Sequence, residues 1–497
     1  MHGKMFRLRL RRHQHPRLHL AAPAAALALV APLAVVATAG NAGAATAGQP
    51  GQSATVTING ATQYQRIAGF GASEAFGQAE TVMNEPSAVQ QQVLSLLYSP
   101  SSGAGLTILR NEISADPGIT IEPTAPSSPS AQPTYLPLSS VDQDQGQLWF
   151  AQQIKADYGV TNVFADAWSA PAFMKTNDSQ INGGTLCGVP GATCTSGDWR
   201  QAYANYLAQY AKDYAAAGDP LSYVGPENEA DIGPGYDSMI MSPAQTANFM
   251  EFLGPTLLRA GLRTRAECCA TEGWDYAQQY AAAIEADPAA NFWTPLFTSH
   301  GYTEAPASPL SGWTKPVWET EWSTFQTWDP AWDDNSTASG FTWAQNIYTG
   351  LTAANLNAFL YWWGSTTPSE NGDNEGLIEI NGSTVATSGR LWAFANYSRF
   401  VRPGAVRIGS SSANGNLEVT AFRNLNGSVA VVVLNTATTA QTASFSLHAA
   451  GGFRATPYLT DASHDTAAQP AIPVRFGSFT ATLPARSLVT YDIPAGQ

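Results

Sequence analysis

The feature that most constrains the fold is an alternation of short apolar runs with longer helix-like segments such as EPSAVQQQVLSLLY. Eight such units predict an α/β fold, a (β/α)8 TIM barrel, whose chemistry lies at the carboxyl ends of the strands. A doubly wound open sheet is the alternative, but GFGASEAFG is a poor match to the glycine-rich turn that usually follows its first strand. The predicted strands are RIAGFG (66–71), LTILR (106–110), TNVFADAW (161–168), LSYVGPEN (221–228), TRAECC (264–269), PLFTSHGY (295–302), KPVWETEW (315–322) and NAFLYWWG (357–364).

The residues after Pro403 follow a different pattern, in which apolar and polar positions alternate and turn residues separate the segments. This pattern, with an Asn-Gly pair at a hairpin, predicts antiparallel β-structure. The segment ATVTINGATQYQ near the N-terminus is also strand-like and is expected to join it. We therefore expect residues 45–65 and 397–497 to form a β-sandwich side domain attached to a barrel of residues 66–396.

The first 44 residues have the layout of a secretory signal peptide. Lys4 and five arginines, without an acidic residue, precede an alanine-rich apolar run. An A-x-A cleavage site lies at 42–44, and another at 37–39 would also serve. A permanent membrane anchor is the alternative, but two prolines interrupt the run and alanine is only weakly apolar. We expect a secreted, extracellular protein without a membrane attachment after cleavage.

The charge balance restricts the partners. The signal segment carries six of the 24 Lys+Arg and none of the 38 Asp+Glu, so the formal net charge changes from −14 to −20 after cleavage. A chain this acidic is a poor partner for nucleic acid or for an anionic membrane surface. Its 14 tryptophans and 18 tyrosines suit a protein that handles neutral polymers.

The four cysteines favour disulfides over metal ligation in an exported chain. Cys187 and Cys194 flank the loop CGVPGATC and are expected to pair, whereas Cys268 and Cys269 either form a vicinal disulfide or remain thiols. After the signal segment, the chain has no His-x-x-x-His spacing, no cysteine–histidine cluster and no G-x-S-x-G elbow. We therefore expect no metal ion and no cofactor, and carboxylates remain as the candidate catalytic groups.

Two pairs of glutamates end predicted strands, Glu227 and Glu229 in GPENEAD and Glu319 and Glu321 in VWETEWS. Residues i and i+2 of a strand share a face, so periodicity cannot choose within a pair. Two residues advance a strand by roughly 6.6 Å, which places Glu229 and Glu321 nearer the mouth of the barrel. Glu227 and Glu319 then lie deeper or tilt into the wall. Carboxylates that face each other from strands 4 and 7 are what retaining glycoside hydrolysis requires. The alternative is two acids on surface loops.

The chain also resembles glycoside hydrolase family 30, through QRIAGFGASEAF, WSAPAFMKTN, NEAD, SHGY, VWETEWS, FLYWWG and NYSRFVRPGAVRIG. The segments ADAWSAPAFMKTN, GGTLCGV and SGDWRQAYANYL are most similar to its xylan-active branch. The resemblance implies that Glu229 is the acid/base, that Glu321 is the nucleophile and that Asn228 contacts the sugar beside the scissile bond. The family usually has proline after the acid/base, where this chain has Ala230, and the change is expected to loosen the loop.

Further residues near the strand ends are candidates for supporting roles. Tyr302 is expected to donate a hydrogen bond to the nucleophile, and Arg110 is expected to keep the nucleophile ionised. Trp168 and Trp362 are the candidates for stacking on sugar rings, with core packing as the alternative. Glu74 either binds sugar hydroxyls or caps the following helix.

These observations predict a monomeric, secreted retaining hydrolase that cleaves β-1,4-linked xylan of the plant cell wall. The alternatives are an endo-β-1,6-galactanase, another family 30 β-glycanase, and a non-catalytic carbohydrate-binding protein. In part of the xylan-active branch an arginine that binds glucuronate follows the phrase SEAF, but here Gly77 and Gln78 follow it. Cleavage is therefore expected not to depend on glucuronate, unless an arginine of another loop, such as Arg390, takes that role.

Overall fold

The computed structural model describes residues 54–138, 144–325, 327–369 and 374–496, so the predicted signal peptide and its cleavage site lie outside the described residues. The strands are β1 (Ala54–Arg66), β2 (Gly69–Ser73), β3 (Ile108–Ile113), β4 (Asn162–Ala167), β5 (Tyr223–Gly225), β6 (Arg265–Ala266), β7 (Cys268–Thr271), β8 (Phe297–His300), β9 (Val317–Glu321), β10 (Ala358–Thr366), β11 (Gly376–Asn381), β12 (Thr384–Thr387), β13 (Val406–Ser412), β14 (Leu417–Arg423), β15 (Val429–Asn435), β16 (Gln441–His448), β17 (Arg454–Asp461), β18 (His464–Ala468), β19 (Ile472–Pro473), β20 (Ser478–Leu483) and β21 (Ser487–Ile493). The helices are α1 (Gln78–Asn84), α2 (Ser87–Tyr98), α3 (Gln147–Tyr158), α4 (Arg200–Ala216), α5 (Pro243–Arg259), α6 (Trp274–Ala286), α7 (Pro288–Trp293), α8 (Gly340–Thr352) and α9 (Gly389–Ser398).

The strands from β2 to β10 form a parallel sheet in the order β6-β5-β4-β3-β2-β10-β9-β8-β7. Because β6 and β7 are separated in the chain by Glu267 alone, the two ends of this order meet and the sheet closes. Helices follow the strands and cover the outside. The predicted (β/α)8 barrel with an attached β-sandwich domain is confirmed. A hairpin of β11 and β12, which was not predicted, extends the sheet beside β10.

The interior of the barrel is filled by side chains at one level and carries ionisable groups at the next. The filling residues are Ile108, Phe164, Tyr223, Leu296, Trp318, Ala358 and Leu360. Arg110 and Asp166 stand two residues after Ile108 on β3 and Phe164 on β4, so they share the inward face. The carboxyl ends of the barrel strands, which we call the mouth, therefore bring charged groups together above an apolar floor.

The second sheet contains the antiparallel strands after β12 together with β1, which lies between β13 and β16. Strand β15 explains how this sheet joins the barrel. Its residues 429, 431 and 433 belong to the core of the side domain, whereas residues 430, 432 and 434 belong to the core shared with the barrel helices. Burial on both faces accounts for the continuous apolar run VAVVVL, which does not alternate.

The structure pairs the cysteines within two short segments. Cys187 and Cys194 form a disulfide with 5.6 Å between their Cα atoms, and Cys268 is bonded to its neighbour Cys269. Of the alternatives for the second pair, the vicinal disulfide is the one present. None of the described helices is both long and apolar enough to cross a bilayer.

Candidate active site

Five ionisable side chains meet at the mouth of the barrel. Arg110 comes from β3, Asp166 from β4, Glu229 from the loop after β5, His300 from β8 and Glu321 from β9. Each is 5% exposed or less. One carboxylate oxygen of each glutamate and one ring nitrogen of His300 lie within 4.8 Å of one another. Residues more than 200 positions apart in the chain thus form one cluster.

The two glutamates of the first pair point in different directions because strand β5 ends before them. Strand β5 ends at Gly225, and Glu229 has a left-handed backbone with φ 48°. Its backbone N–H donates to the carbonyl of Ala270 over 2.7 Å, which fixes this turn. Glu227 points into the wall of the barrel, where the Thr246 hydroxyl on α5 donates to both of its oxygens at 3.0 and 2.9 Å. Glu229 faces the mouth instead.

The second pair divides because of a β-bulge. The register of β8 and β9 passes from Ser299 opposite Glu319 to His300 opposite Glu321, which leaves Thr320 as an extra residue. A bulge of this kind re-aims the side chains that follow it. The members of each pair therefore do not share a face as they would on a regular strand, and of the two alternatives for Glu227 and Glu319 the tilt into the wall is the one present. Glu319 points into the wall and accepts a 2.7 Å hydrogen bond from the Trp274 indole of α6, whereas Glu321 faces the mouth.

Glu321 is surrounded by hydrogen-bond donors. Arg110 Nη1 donates to Oε2, and the Tyr302 hydroxyl donates to Oε1 over 2.8 Å. The guanidinium is held in turn by Asp166, 2.7 Å from Nε, and by the Asn228 side-chain oxygen, 2.6 Å from Nη2. A charged donor and a hydroxyl donor complement a negative charge on Glu321. They also oppose a metal ion at this cluster, because the guanidinium already supplies a positive charge in contact with the carboxylate.

Glu229 has a different electrostatic environment. Burial raises the pKa of Glu229 to about 7, against the hydrogen bond from Tyr236 and the positive charge of Arg110, which both lower it. The Tyr236 hydroxyl donates to Oε2 over 2.9 Å, and His300 Nδ1 lies 3.1 Å from Oε1. Glu229 is therefore a carboxylic acid through the mildly acidic range.

His300 supports Glu229 as a neutral ring. Burial lowers the pKa of His300 to about 4. Arg110 Nη2 lies 3.5 Å from Nε2, and because arginine has no acceptor, Nε2 accepts and the ring proton sits on Nδ1. That proton is directed at Glu229. The two glutamates thus differ in partners: one faces a cation and a phenol, and the other faces a neutral imidazole and a phenol.

The structure places the two predicted sugar-stacking tryptophans together beside Arg110. Their ring centroids are 5.9 Å apart, and the guanidinium carbon lies 4.5 Å from the Trp168 centroid and 5.8 Å from the Trp362 centroid. Trp168 is 2% exposed and Trp362 is 7% exposed. In the structure both rings hold the guanidinium that faces Glu321, and stacking on sugar stays a prediction.

The structure contradicts two alternatives: Glu74 as the cap of α1 and Arg390 as a free ligand for glucuronate. Binding of sugar hydroxyls by Glu74 stays a prediction. Glu74 does not cap α1, since Gly77 occupies the cap position, and its carboxyl is buried where it accepts a 2.8 Å hydrogen bond from Ser365. Arg390 is fully buried and donates to the carbonyls of Asp329, Ala338 and Gly376, so it is not free to bind a glucuronate group.

The loop after Glu229 was expected to be looser because Ala230 replaces proline, but a hydrogen bond and burial hold its backbone in place. Ala230 is fully buried, and its carbonyl accepts a 3.0 Å hydrogen bond from the N–H of Met241.

Three residues of the site were not identified from the sequence. Asp166 and His300 carried a usable signal, because each is an ionisable residue inside a predicted buried strand. Tyr236 carried none: it lies seven residues after Glu229 in an irregular loop and is 44% exposed. Its contact with the glutamate depends on how that loop folds back over the mouth.

Comparison with known proteins gives matches in both parts of the chain. Residues 131–307 match the family described as "O-Glycosyl hydrolase family 30", and residues 404–491 match "Glycosyl hydrolase family 30 beta sandwich domain". The structure of the catalytic domain of GH30 xylanase C from Talaromyces cellulolyticus is 44% identical, covers 89% of this chain and 100% of its own, and has a TM-score of 0.83. A GH30 endoxylanase from Clostridium papyrosolvens C71 is 26% identical, covers 89% and 100%, and has a TM-score of 0.67. Endo-1,6-beta-D-glucanase BGN16.3 of Trichoderma harzianum is 23% identical over 396 residues, which are 75% of this chain and 78% of that protein.

Proposed function

This chain belongs to glycoside hydrolase family 30, and on that premise we propose that it is a retaining hydrolase of β-1,4-linked xylan. The retaining mechanism is supported by the short distance between Glu229 and Glu321: one carboxylate oxygen of each lies within 4.8 Å of the other. Retaining enzymes hold their two carboxyl groups roughly 5 to 5.5 Å apart, whereas inverting enzymes leave roughly 6.5 to 9.5 Å for a water molecule. The choice of xylan is supported by the 44% identity to a xylanase.

In the first step Glu321 attacks the anomeric carbon and forms a glycosyl ester, while Glu229 gives its proton to the departing oxygen. Each residue has partners that suit its role. The charged Arg110 and the Tyr302 hydroxyl orient the attacking carboxylate. Burial keeps the proton on Glu229 until the leaving oxygen takes it, and the donors Tyr236 and His300 then stabilise the carboxylate that remains.

In the second step the same residues act in reverse order. Glu229, now ionised, removes a proton from a water molecule, which attacks the anomeric carbon and releases Glu321. Two displacements at one carbon restore the β configuration. Asn228 is proposed to contact the sugar next to the bond, since its side-chain oxygen is fixed by Arg110 and its amide nitrogen is the group that remains for a ligand. Trp168 and Trp362 are proposed to border the same sugar.

The glucuronate side group is proposed to be dispensable. Arg390 is buried in backbone contacts, and Gln78 at the position after SEAFG is 2% exposed. A carboxylate on the substrate would thus meet neither a guanidinium nor an accessible amide from these positions. Initial rates on glucuronoxylan before and after enzymatic removal of its uronic acids test this point. Comparable rates are expected, and a fall of about a hundredfold on the stripped polymer, the loss expected for a charge-assisted contact of about 3 kcal/mol, would refute it.

A second candidate substrate is a β-1,6-linked glycan, either a glucan or a galactan. The relative from Trichoderma harzianum, named as an endo-1,6-beta-glucanase, favours the glucan. Product profiles on beechwood xylan, β-1,6-glucan and arabinogalactan decide between them. We expect xylo-oligosaccharides from the first polymer as the main product. If gentio-oligosaccharides or galactose oligomers are released faster than xylo-oligosaccharides, a β-1,6-linked glycan and not xylan is the substrate.

The remaining expectations about the chain are proposals of the same kind. We propose that residues 1–44 are a signal peptide and that the mature protein acts outside the cell as a monomer. Residues 66–396 would then form the catalytic barrel, and residues 45–65 with 397–497 its side domain. N-terminal sequencing of the secreted protein tests the cleavage site, with Ala45 expected as the first residue.

A further inference from the structure

A second groove lies on the outside of the barrel, between the loop that follows β3 and the outer surfaces of α4 and α5. It has a volume of about 770 Å³. Clefts of roughly 300 to 1,000 Å³ are typical of ligand sites. Among the described residues that line the groove, none belongs to the mouth. The groove is therefore a separate surface.

One side of the groove is a polar stripe on α4. Gln201, Asn205, Gln209 and Lys212 follow one another at helical spacing and cover roughly 16 Å along the axis. Gln201 Nε2 donates to Asn205 Oδ1 over 3.0 Å, which turns the amide nitrogen of Asn205 away from the helix surface as a donor. Gln201 Nε2 also donates to the Thr256 hydroxyl over 2.9 Å, and Gln209 Nε2 donates to Asp213 over 2.8 Å. The donors that the stripe offers to a ligand are therefore the Asn205 amide, the second proton of the Gln209 amide and the Lys212 ammonium.

The other side of the groove comes from the proline-rich loop after β3. Its lining residues are Pro126, Pro129, Ser130, Ala131, Gln132, Pro133 and Tyr135. Proline rings and the face of a tyrosine offer flat apolar surfaces between polar groups. A sugar chain presents the matching surface, since its hydroxyls project at the edge of each ring and its C–H groups cover the faces.

An unpartnered acid at the floor gives independent support for a ligand. Glu122 is 1% exposed, and its Oε2 has no hydrogen-bond partner within the described parts of the chain. A buried polar atom without a partner is unfavourable, and a ligand hydroxyl would satisfy it. Burial also raises the pKa of Glu122 to about 8, so at neutral pH the group is a neutral acid that can both donate and accept.

The lining of the groove carries few charged side chains. Asp198 is paired with Arg200 at 2.6 Å, and Arg259 donates to the Thr256 hydroxyl over 3.0 Å. With Glu122 protonated, two charged side chains of the lining form no salt bridge within the described residues: Arg259 near the end of α5 and Lys212 at the end of the stripe. Two separate cations beside amides and proline rings suit a polysaccharide that carries few charges rather than a densely anionic polymer.

We propose that this groove is a second polysaccharide-binding site, which holds a stretch of a β-1,4-xylan chain while the mouth acts on that polymer. The identity of the occupant rests on the proposed function. A second site of this kind raises the effective concentration of substrate near the mouth. It therefore matters for long or insoluble xylan and not for short oligosaccharides that fill the mouth alone.

Affinity electrophoresis with the Glu321→Gln variant, which does not consume the polymer, tests the proposal. The gels contain glucuronoxylan, β-1,6-glucan or no polysaccharide. A Tyr135→Ala/Asn205→Ala change in this background removes one ring surface and one donor, and it is expected to raise the apparent Kd for xylan about tenfold. Phe292→Ala is the matched control, since it removes an exposed ring from α7, elsewhere on the barrel, and it is expected to leave the Kd unchanged.

A second variant guards against loss of the loop structure. Asn205 is exposed in the middle of α4, so Asn205→Trp blocks the groove while leaving the loop sequence intact, and the same rise in Kd is expected. Retardation by xylan that is equal in all variants, or no retardation of the background protein, would overturn the proposal. Failure of the proposed function is seen separately, as an absence of xylan hydrolysis by the wild-type protein, and groove-dependent retardation by xylan would still stand in that case.

Discussion

The mouth and the wall of the barrel each contain two glutamates from the same two short motifs, but the partners of these glutamates differ. In the wall, Glu227 and Glu319 are fully buried and bonded to the neutral Thr246 and Trp274, and burial raises the pKa of both well above the usual range. At the mouth, Glu229 and Glu321 face each other with unlike partners. Burial alone makes a glutamate a neutral carboxylic acid. A catalytic pair also needs contact with the substrate and a cation beside the one carboxyl that must stay ionised.

The largest effect is expected from exchanging glutamate for glutamine at the two positions of β9. Glu321→Gln should lower kcat/KM on xylan by about 10⁴-fold or more, because an amide cannot form the glycosyl ester. Glu319→Gln should stay within about tenfold of the wild type, since glutamine replaces a group that is already neutral in the wall. Steady-state kinetics of the two variants side by side make the comparison. An inactive Glu319→Gln beside an active Glu321→Gln would reverse the assignment of mouth and wall.

The next effect concerns the pair after β5. Glu229→Ala should lower activity on xylan by roughly 10²- to 10⁴-fold, since general acid catalysis contributes about that much. With a dinitrophenyl xylobioside, a good leaving group needs little protonation, so a burst of phenol should persist. Glu227→Gln is the matched control and should retain near wild-type kinetics on both substrates. Equal losses on both substrates for Glu229→Ala would argue against its role as the acid.

A smaller effect is expected from Tyr236, whose hydroxyl donates to Glu229. The kcat/KM of the wild type should fall as pH rises through about 7, because the proton on Glu229 is then lost. The hydrogen bond from Tyr236 lowers the pKa of Glu229. Tyr236→Phe should therefore move the fall in kcat/KM to higher pH. A pH profile of both proteins measures the shift. An unchanged limb, or one that moves to lower pH, would contradict the role of Tyr236.

The last effect is on stability and belongs to Glu74, a buried carboxyl that directly follows β2. Burial raises the pKa of Glu74 from 4.5 to about 8 in the folded protein. A raised folded pKa means that this stabilisation is complete below pH 4.5 and is lost as pH rises to about 8. The slope from one such group is ~1.4 kcal/mol per pH unit. Glu74→Gln should therefore weaken the decline in the free energy of unfolding between pH 5 and 8, as urea titrations at several pH values would show. A decline that is unchanged in the variant would contradict this account.

The sequence predicted the elements that depend on local composition. Each of the eight apolar runs overlaps at least one barrel strand, because a buried parallel strand needs an apolar segment. The hairpin Gly376–Thr387 was not predicted, although its Asn381-Gly382 pair is a usual hairpin signal. It lies outside the eight strand-and-helix units from which the barrel was predicted.

The features that separate mouth from wall were not predictable in the same way. The bulge at Thr320 is a property of the pairing between β8 and β9, and nothing in VWETEWS marks it. The left-handed turn at Glu229 depends on a hydrogen bond to Ala270, 41 positions away. Depth along the strand nevertheless selected the same two glutamates, since a later residue lies nearer the carboxyl end whichever face it takes.

The central claim is that Glu321 is the residue that bonds to the sugar, opposite Glu229. The most direct test is to incubate the protein with a dinitrophenyl 2-deoxy-2-fluoro-β-xylobioside, whose glycosyl ester turns over slowly, and to map the modified peptide by mass spectrometry. The account predicts a single label on Glu321, none on Glu319, and recovery of activity when the ester is released. A label on Glu319, or time-dependent hydrolysis without any covalent label, would contradict it.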